Sequence, residues 1–222
     1  MDSFLKNFND KKILKQAFTH RSYLNETKEK LSSNERLEFL GDAVLELLIS
    51  EYLFKKFPGY EEGALTNLRS SIVRTEALAK ASLNLGFDKK LLLSKGEETG
   101  SGRKNPSILA DVFESFLGAL YLDLGLESAR QFVYDKLFTY LPDIIKNKLY
   151  LDAKSYLQEK VQERKKVSPE YRVLKAEGPD HKKTFTVGVY VSGKKIGEGS
   201  GTSKQEAEER AAKFALEHGD FV

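Results

Sequence analysis

Carboxylates recur at three- and four-residue spacing in the stretch NERLEFLGDAVLELL, which runs from Asn34 to Leu48. At about 100° per residue, four of them fall within a stripe roughly 80° wide on a helix: Glu35, Glu38, Asp42 and Glu46. The opposite side is apolar and consists of Leu37, Leu40, Val44, Leu47 and Leu48. The stretch therefore predicts an amphipathic helix whose polar face is a row of carboxylates.

A second acidic pair, Asp111 and Glu114, stands far downstream in ILADVFESFLGALYLD. The i,i+3 spacing places both on one helix face, opposite an apolar side made of Ile108, Val112, Leu117 and Leu120. Like charges on a helix face cost about 0.2–0.5 kcal/mol per pair unless a cation neutralises them, and the first row has only Arg36 nearby in sequence. A solvated acidic surface is one interpretation. The presence of two such faces favours the other, in which they converge on a hard cation.

A cation held by carboxylates indicates phosphate chemistry. Mg²⁺ prefers oxygen ligands, keeps several waters, and is typically held by a few carboxylates together with substrate phosphate oxygens. Such a metal activates water and neutralises the charge that develops on a phosphodiester. Carboxylate-lined helices also bind diphosphates in isoprenoid enzymes, but the DDxxD-type motif of those enzymes is missing from this sequence.

Phe39 interrupts the amphipathic pattern, because it projects on the side of the helix that carries Glu35 and Glu46. An aromatic ring at that position would lie in water. Single exposed aromatic residues are common, but one beside a functional face indicates a partner surface. We interpret Phe39 as a contact between two copies of the chain.

The segments that must position these residues are helical. From Lys11 to about Leu149, apolar residues recur at helical spacing and are interrupted by polar joints such as FPGYEEG and KGEETGSGRKNPS. We therefore predict an all-α domain over residues 1–149.

The character of the sequence changes after Asp152. The segment DAKSYLQEKVQERKK predicts a helix, TFTVGVYV alternates as a strand does, VSGKK predicts a hairpin turn, and a last helix opens at Ser203. Glu206 follows Ser203 at the spacing of a capping box. We predict a small α+β domain of order α-β-β-β-α over residues 152–222, joined to the first by the short segment KNKLYLD.

Composition excludes several classes of protein. The 222 residues include no cysteine and only three histidines, which are far apart, so a zinc cluster, a disulfide framework and a thiol nucleophile are excluded. The net charge of +3 is too balanced for a purely electrostatic coat on a polyanion. No apolar run approaches the roughly 20 residues of a membrane span, and we expect a cytoplasmic protein without membrane contact.

The two acidic segments together resemble those of the bacterial ribonuclease III family. ERLEFLGDAVL resembles the signature of that family, and ILADVFESFLGALYLD resembles its second acidic segment. The resemblance extends over essentially the whole chain, including the order of an endonuclease domain followed by a double-stranded RNA-binding domain. It implies an endoribonuclease that hydrolyses both strands of duplex RNA, leaves 5′-phosphate and 3′-hydroxyl ends with a 3′ overhang, and acts in the processing and decay of rRNA and mRNA precursors.

The same resemblance implies roles for individual residues. It makes four carboxylates the Mg²⁺ ligands, with Mn²⁺ able to replace Mg²⁺ and no small-molecule cofactor required: Glu38, Asp42, Asp111 and Glu114. Asp42 and Glu114 are the expected catalytic residues among them, and Glu35 and Glu62 match accessory acidic positions. The resemblance also implies that Phe39 inserts into a socket on the second subunit of a homodimer.

In the second domain, RNA recognition would rely on contacts to 2′-hydroxyls and phosphates, because the major groove of A-form RNA is too narrow to read. The predicted contacts are Gln158 and Glu159 on the first helix, His181 in the loop GPDHKK, and Lys204 at the start of the last helix. Each has an ordinary surface role as its alternative. Gln205 follows Lys204 where such domains commonly carry further basic residues, so we expect the affinity of this domain to be modest.

Two other functions remain as alternatives. A non-catalytic dimeric double-stranded RNA-binding protein would use the helical domain only for dimerisation, and it would have no need for Asp111 and Glu114 opposite the first row. A helical diphosphate enzyme fused to an RNA-binding domain would leave Phe39 unexplained.

Overall fold

The structure, a computed structural model, describes residues 2–146, 152–179 and 183–218. The chain divides into two compact units, residues 1–147 and 148–222. The first is helical and the second contains helices and a three-stranded sheet, which confirms the predicted fold class. The predicted boundary at residues 149–151 lies outside the described residues and stays a prediction. None of the described helices is long and apolar enough to cross a lipid bilayer.

The described residues of the first unit form eight α-helices linked by short loops and 3-10 turns. They are α1 (Asp2–Asn7), α2 (Lys11–Ala17), α3 (Glu35–Lys56), α4 (Glu62–Val73), α5 (Thr75–Asn84), α6 (Lys95–Thr99), α7 (Pro106–Lys136) and α8 (Leu141–Lys146). Helix α6 lies inside the segment that the sequence predicted to be a polar joint. The longest helix, α7, begins where Asn105 accepts a hydrogen bond from the Ser107 amide, and it is kinked at Gly125, where φ is +80°.

The core of this unit lies between α3 and α7. Buried residues of α3, among them Leu45, Leu48 and Ile49, pack against the buried face of α7. Phe116 of α7 contacts the rings of Phe8, Phe18, Phe87 and Phe132. Burial of these side chains orients both helices, so their polar faces are directed away from the core on the same side of the crossing.

The second unit contains α9 (Ala153–Lys165), β1 (Glu170–Glu177), β2 (Thr184–Val191), β3 (Lys194–Gly201) and α10 (Lys204–His218). The strands form an antiparallel sheet in the order β1-β2-β3. Ser192 and Gly193, with φ of 50° and 79°, form the predicted tight turn between β2 and β3. Both helices pack on one face of the sheet around a core that includes Leu157, Val189 and Ala211.

Glycines of β3 allow α10 to lie against the sheet. A Cβ atom added to Gly199 would lie 2.3 Å from the Ala211 amide nitrogen, and one added to Gly197 would lie 2.6 Å from the Ala211 carbonyl oxygen. At the start of α10, the Ser203 hydroxyl accepts from the Glu206 amide as predicted. The return contact differs from a capping box, because the Glu206 carboxylate accepts from the amide of Thr202 instead of Ser203.

Candidate active site

Three carboxylates from the two core helices converge in the first unit. Glu38 of α3 and Asp111 and Glu114 of α7 each place one oxygen within 4.8 Å of the others. All three are partly buried, and none forms an ion pair within the described part of the chain. Asp42 stands one turn after Glu38 on the same face of α3 and is exposed. We refer to these four residues as the carboxylate cluster.

Two glycines bring the helices close enough to form this cluster. A Cβ atom on Gly41 would lie 1.8 Å from the carbonyl oxygen of Glu114, and one on Gly118 would lie 2.2 Å from the carbonyl oxygen of Leu37. Neither position can hold a side chain without moving a backbone. The backbones of α3 and α7 are therefore in contact next to the carboxylate cluster. On α3 the contact lies between Glu38 and Asp42, and on α7 it lies beside Glu114.

The sequence prediction did not include Gly41 or Gly118 among the functional residues. A glycine inside a helix lowers the stability of the helix by about 1 kcal/mol relative to alanine. The presence of one glycine near the carboxylates in each of the two core helices could therefore have indicated a close helix crossing at the site. The structure gives the reason for this cost, which is the close approach of α3 and α7.

Burial and mutual repulsion make the cluster a strong attractor for positive charge. Burial, followed by the charges of Asp42, Glu38, Asp111 and Glu46, raises the pKa of Glu114 to about 8. Burial and the neighbouring Asp111 also raise the pKa of Glu38. The pKa of Asp111 is raised by burial, which outweighs the opposing effect of His20. Without a cation, Glu114 holds a proton at neutral pH.

The ends of the acidic row on α3 are neutralised by residues distant in sequence. Arg21 Nη1 lies 3.6 Å from Glu35 Oε1, and Arg69 Nε lies 2.7 Å from Glu46 Oε2. Arg36 is the only basic residue near this row in sequence, but folding brings Arg21 and Arg69 to its two ends. The uncompensated charge is concentrated in the middle of the row, beside Asp111 and Glu114.

The oxygen-only ligand set and its spacing fit a divalent cation such as Mg²⁺. Carboxylates are the protein ligands that Mg²⁺ uses, and two carboxylates alone are often sufficient when substrate phosphates complete the coordination. The carboxylate cluster supplies more than that in a partly buried site where, among the described residues, Glu38, Asp111 and Glu114 form no ion pair.

Other predicted site residues lie outside the group of three converging oxygens. Glu35 borders it and accepts a hydrogen bond from Ser33 Oγ at 2.7 Å in addition to its contact with Arg21. Glu62 begins α4, accepts from Thr66 Oγ1 at 3.0 Å, and lines a separate cavity. Within one chain, the structure does not bring Glu62 to the carboxylate cluster.

Two apolar side chains of α3 are exposed beside the acidic face. Phe39 is 80% exposed, as its position in the pattern predicted. Leu47, which the same pattern placed on the buried side, is 56% exposed. It lies at the edge of the buried stripe, while Leu45 and Ile49 take the buried positions next to it.

Predicted RNA contacts of the second unit lie in the middle of α9 and at the start of α10. Gln158 and Glu159 are exposed on α9, and Lys204 is the exposed first residue of α10. Gln158 and Gln205 line a common cavity of about 650 Å³ between α9 and the start of α10. His181 lies outside the described residues.

The glutamates of α10 contact neighbouring groups of the same unit. Glu208 pairs with Lys154 at 2.5 Å, Glu209 accepts from the Ala153 amide at 2.5 Å, and Glu206 pairs with Arg210 at 2.6 Å. Because two of these contacts hold the start of α9 next to α10, the acidic residues after Lys204 serve the packing of the unit. Glu206 and Glu208 are each paired with a basic side chain, whereas Glu209 is bound to a backbone amide.

Comparison with known protein families identifies both units. Residues 10–141 match the family model described as Ribonuclease-III-like, and residues 153–218 match the Double-stranded RNA binding motif. The first match spans the helices that build the carboxylate cluster, and the second spans the sheet and both of its helices. The chain belongs to the ribonuclease III family, and the resemblance noted in the sequence is confirmed.

Individual relatives agree with this assignment. The chain is 51% identical to Ribonuclease 3 of Enterococcus faecalis, over 94% of this chain and 91% of the relative, and 48% identical to Ribonuclease 3 of Geobacillus kaustophilus, over 95% and 85%. The solved nuclease domain of ribonuclease III from Campylobacter jejuni matches with a TM-score of 0.58 and 40% identity, over 64% of this chain and 95% of that one. The protein is a double-stranded-RNA-specific endoribonuclease, and the prediction of an enzyme is confirmed over that of a non-catalytic binding protein.

Proposed function

We propose that this endoribonuclease depends on Mg²⁺ held by Glu38, Asp42, Asp111 and Glu114, with Mn²⁺ able to replace it. The single observation that carries the proposal is the convergence of three carboxylate oxygens within 4.8 Å, from residues that form no ion pair in the described part of the chain. When bound, a divalent cation supplies activation of water and neutralisation of charge on the phosphodiester.

Glu114 and Asp42 have different roles in the proposed reaction. Burial among negative charges raises the pKa of Glu114 to about 8, so this carboxyl would give up its proton when it holds a cation. Asp42 is exposed one turn after Glu38, and we assign it to orient water and accept a proton. We assign both as catalytic residues, with Glu35 and Glu62 in accessory roles.

The functional unit that we propose is a homodimer. Phe39 and Leu122 are exposed apolar side chains around one cavity of the first unit, and large apolar groups of this kind favour a partner surface. A second cavity, lined by Leu47, Phe54 and Leu65, offers an apolar receptor for such a ring. The Campylobacter jejuni structure is described as flexible in a region involved in dimer formation of the nuclease domain.

A two-fold dimer presents one carboxylate cluster to each strand of a duplex, since the strands are antiparallel and related by local two-fold symmetry. Each subunit then cleaves one strand, giving 5′-phosphate and 3′-hydroxyl ends with a 3′ overhang. The second unit holds the duplex through Gln158, Glu159, His181 and Lys204. The substrates we propose are cytoplasmic rRNA and mRNA precursors and transcripts undergoing decay.

A cleavage assay on an end-labelled RNA duplex, with and without Mg²⁺, tests the metal assignment. The unaltered chain should cut only with Mg²⁺ or Mn²⁺, and Glu114→Gln should abolish cutting while duplex binding, measured by gel shift, is retained. Glu76→Gln is the matched control, because Glu76 is an exposed glutamate in the first turn of α5, away from the cluster. Undiminished cutting by Glu114→Gln would refute the assignment.

A further inference from the structure

A polar cavity of about 350 Å³ adjoins the carboxylate cluster. It shares Glu38 and Asp111 with the cluster and extends away from it to Asn34, His20 and Glu97. It therefore has one wall made of proposed metal ligands and another made of residues that the reaction centre does not use.

Asn34 has an unpartnered side chain in this cavity. The residue is only 3% exposed, and its backbone amide donates to the Thr19 carbonyl at 2.9 Å. Although Asn34 precedes α3, its side chain does not cap the helix, and it forms no hydrogen bond with any residue that the structure describes. Its amide group therefore has no partner among the described residues and is available to a group that enters the cavity.

The His20 ring is held by its own loop through Nδ1, which leaves Nε2 directed away from that loop. The His20 backbone amide donates to the Leu92 carbonyl at 3.1 Å, beside the parallel bridge between Thr19 and Leu92. Nδ1 accepts from the Ser22 amide at 3.3 Å and lies 2.8 Å from Ser22 Oγ, which itself accepts from the Ser94 amide at 3.0 Å. The Ser22 hydroxyl hydrogen is thus directed to Nδ1, and the neutral ring carries its proton on Nε2.

The charges around the cavity select the chemical class of the ligand. Four carboxylates line it, from Glu35, Glu38, Glu97 and Asp111, against two basic residues, His20 and Arg21, of which Arg21 is already paired with Glu35. A free phosphate would be repelled by this wall. A neutral hydroxyl fits, because it can accept from the His20 Nε2–H group and donate to the Asn34 amide oxygen.

We propose that this cavity binds the 2′-hydroxyl of a ribose next to the scissile phosphate, with Asn34 and His20 as its direct contacts. The inference rests on the proposed reaction centre, since the phosphate must sit at the carboxylate cluster for the adjoining ribose to reach the cavity. The 2′-hydroxyl is the group by which a protein distinguishes RNA from DNA. The cavity gives the first unit its own means of selecting RNA, separate from the duplex-binding second unit.

A single-turnover cleavage assay on an RNA hairpin with one cleavage site tests the proposal. A series of hairpins carries one 2′-deoxynucleotide at successive positions around the scissile bond. The unaltered chain should lose about tenfold in rate at one position on the cleaved strand, the loss expected for one or two hydrogen bonds. Asn34→Ala should cleave the all-ribose hairpin about tenfold more slowly than the unaltered chain does. It should cleave the hairpin deoxygenated at that position at nearly the same rate as the all-ribose hairpin.

Ser32→Ala is the matched control, because Ser32 is exposed in the same loop and does not line the cavity. It should keep the full deoxy effect of the unaltered chain. A purely structural role of Asn34 would slow every hairpin by the same factor and preserve the deoxy effect, which would overturn the proposal. A higher Mg²⁺ requirement of Asn34→Ala on all hairpins would also overturn it, by making the cavity a cation site.

The deoxy series needs no variant to fold, so it tests the proposal by itself. Equal cleavage of all hairpins by the unaltered chain would contradict a 2′-hydroxyl contact while leaving the reaction centre intact. Failure to cleave any hairpin in the presence of Mg²⁺ would instead overturn the proposed reaction centre, and the inference with it.

Discussion

The two units of this chain carry their functional residues in opposite ways. In the first, partly buried carboxylates are fixed by two helices whose backbones touch at Gly41 and Gly118. In the second, the proposed RNA contacts, such as Gln158 and Lys204, are exposed ends of surface side chains. A site built by packing depends on the geometry of the core, whereas a site built from separate surface contacts loses one contact at a time. The comparison predicts large effects of single substitutions in the first unit and small effects in the second.

The largest expected effect comes from Gly118→Ala, which breaks the packed site without touching a carboxylate. The added methyl group meets the Leu37 carbonyl oxygen, so the helices must separate, at a cost of about 3 kcal/mol in the free energy of unfolding. Cleavage should fall at least a hundredfold even at temperatures where the fold persists. Denaturant titration and single-turnover cleavage measure the two quantities.

Gly63→Ala is the control for this substitution, because no atom lies within 4 Å of the position that its Cβ would take. It should be neutral or stabilise the unit by about 0.5 kcal/mol. Similar losses in both variants would show that the helix crossing is not the cause.

The proton held by the cluster gives a prediction about pH. The pKa of Glu114 is raised to about 8 in the folded chain, so the folded state binds a proton that the unfolded state releases near its usual pKa of about 4.5. Stability without metal should therefore fall as pH rises from about 4.5 to 8, and Mg²⁺ should restore it most strongly at the upper end. The melting temperature of the metal-free and Mg²⁺-loaded chain, recorded across this range, measures the effect.

Glu114→Gln should flatten this pH dependence, because the amide does not titrate. The raised pKa values of Glu38 and Asp111 act in the same direction and should leave a smaller slope. A metal-free melting temperature that rises steadily between pH 5 and pH 8 would contradict the electrostatic description of the cluster.

An intermediate effect is expected at the proposed dimer surface. Phe39→Ala removes an exposed ring that we propose to be buried in a second copy, and such anchors contribute about 2 kcal/mol to association. The dissociation constant from sedimentation equilibrium should rise about thirtyfold. Phe214→Ala, which removes an exposed ring from α10 in the second unit, should leave association unchanged, and an equal change in both variants would remove Phe39 from the interface.

The smallest effect is expected at the start of α10. Lys204→Ala should weaken duplex binding by about 1 kcal/mol or less and reduce the salt slope by about one, as for a single phosphate contact. Lys213→Ala removes the same charge from a position nine residues on, about half a turn around the helix, and should have no effect on the slope. A tenfold or greater loss of duplex affinity in the Lys204 variant would show that the second unit depends on single residues as strongly as the first does.

The sequence was sufficient to predict the polar helix faces from which Glu38, Asp111 and Glu114 converge, because helical periodicity places these residues on polar faces whatever the tertiary structure. The roles of these carboxylates and of Asp42 as metal ligands stay predictions. The sequence was not sufficient for contacts between distant segments. Arg21 and Arg69 neutralise the ends of the acidic row from a loop and from α4, respectively, and no local pattern encodes either pair. The exposure of Leu47 and the return contact of Glu206 also depend on neighbours that periodicity does not specify.

The backbone contact between Gly41 and Gly118 has a consequence for the synthesis of the enzyme. The two glycines are 77 positions apart in the chain. The carboxylate-bearing face of α3 can therefore pack against that of α7 only after α7 has been synthesised. Domains fold as units during translation, as their last element leaves the ribosome. A nascent chain that exposes α3 alone lacks Asp111 and Glu114 of the proposed cleavage centre, so we expect an enzyme that cuts RNA to stay inactive beside the ribosome and message that produce it until its first unit is complete.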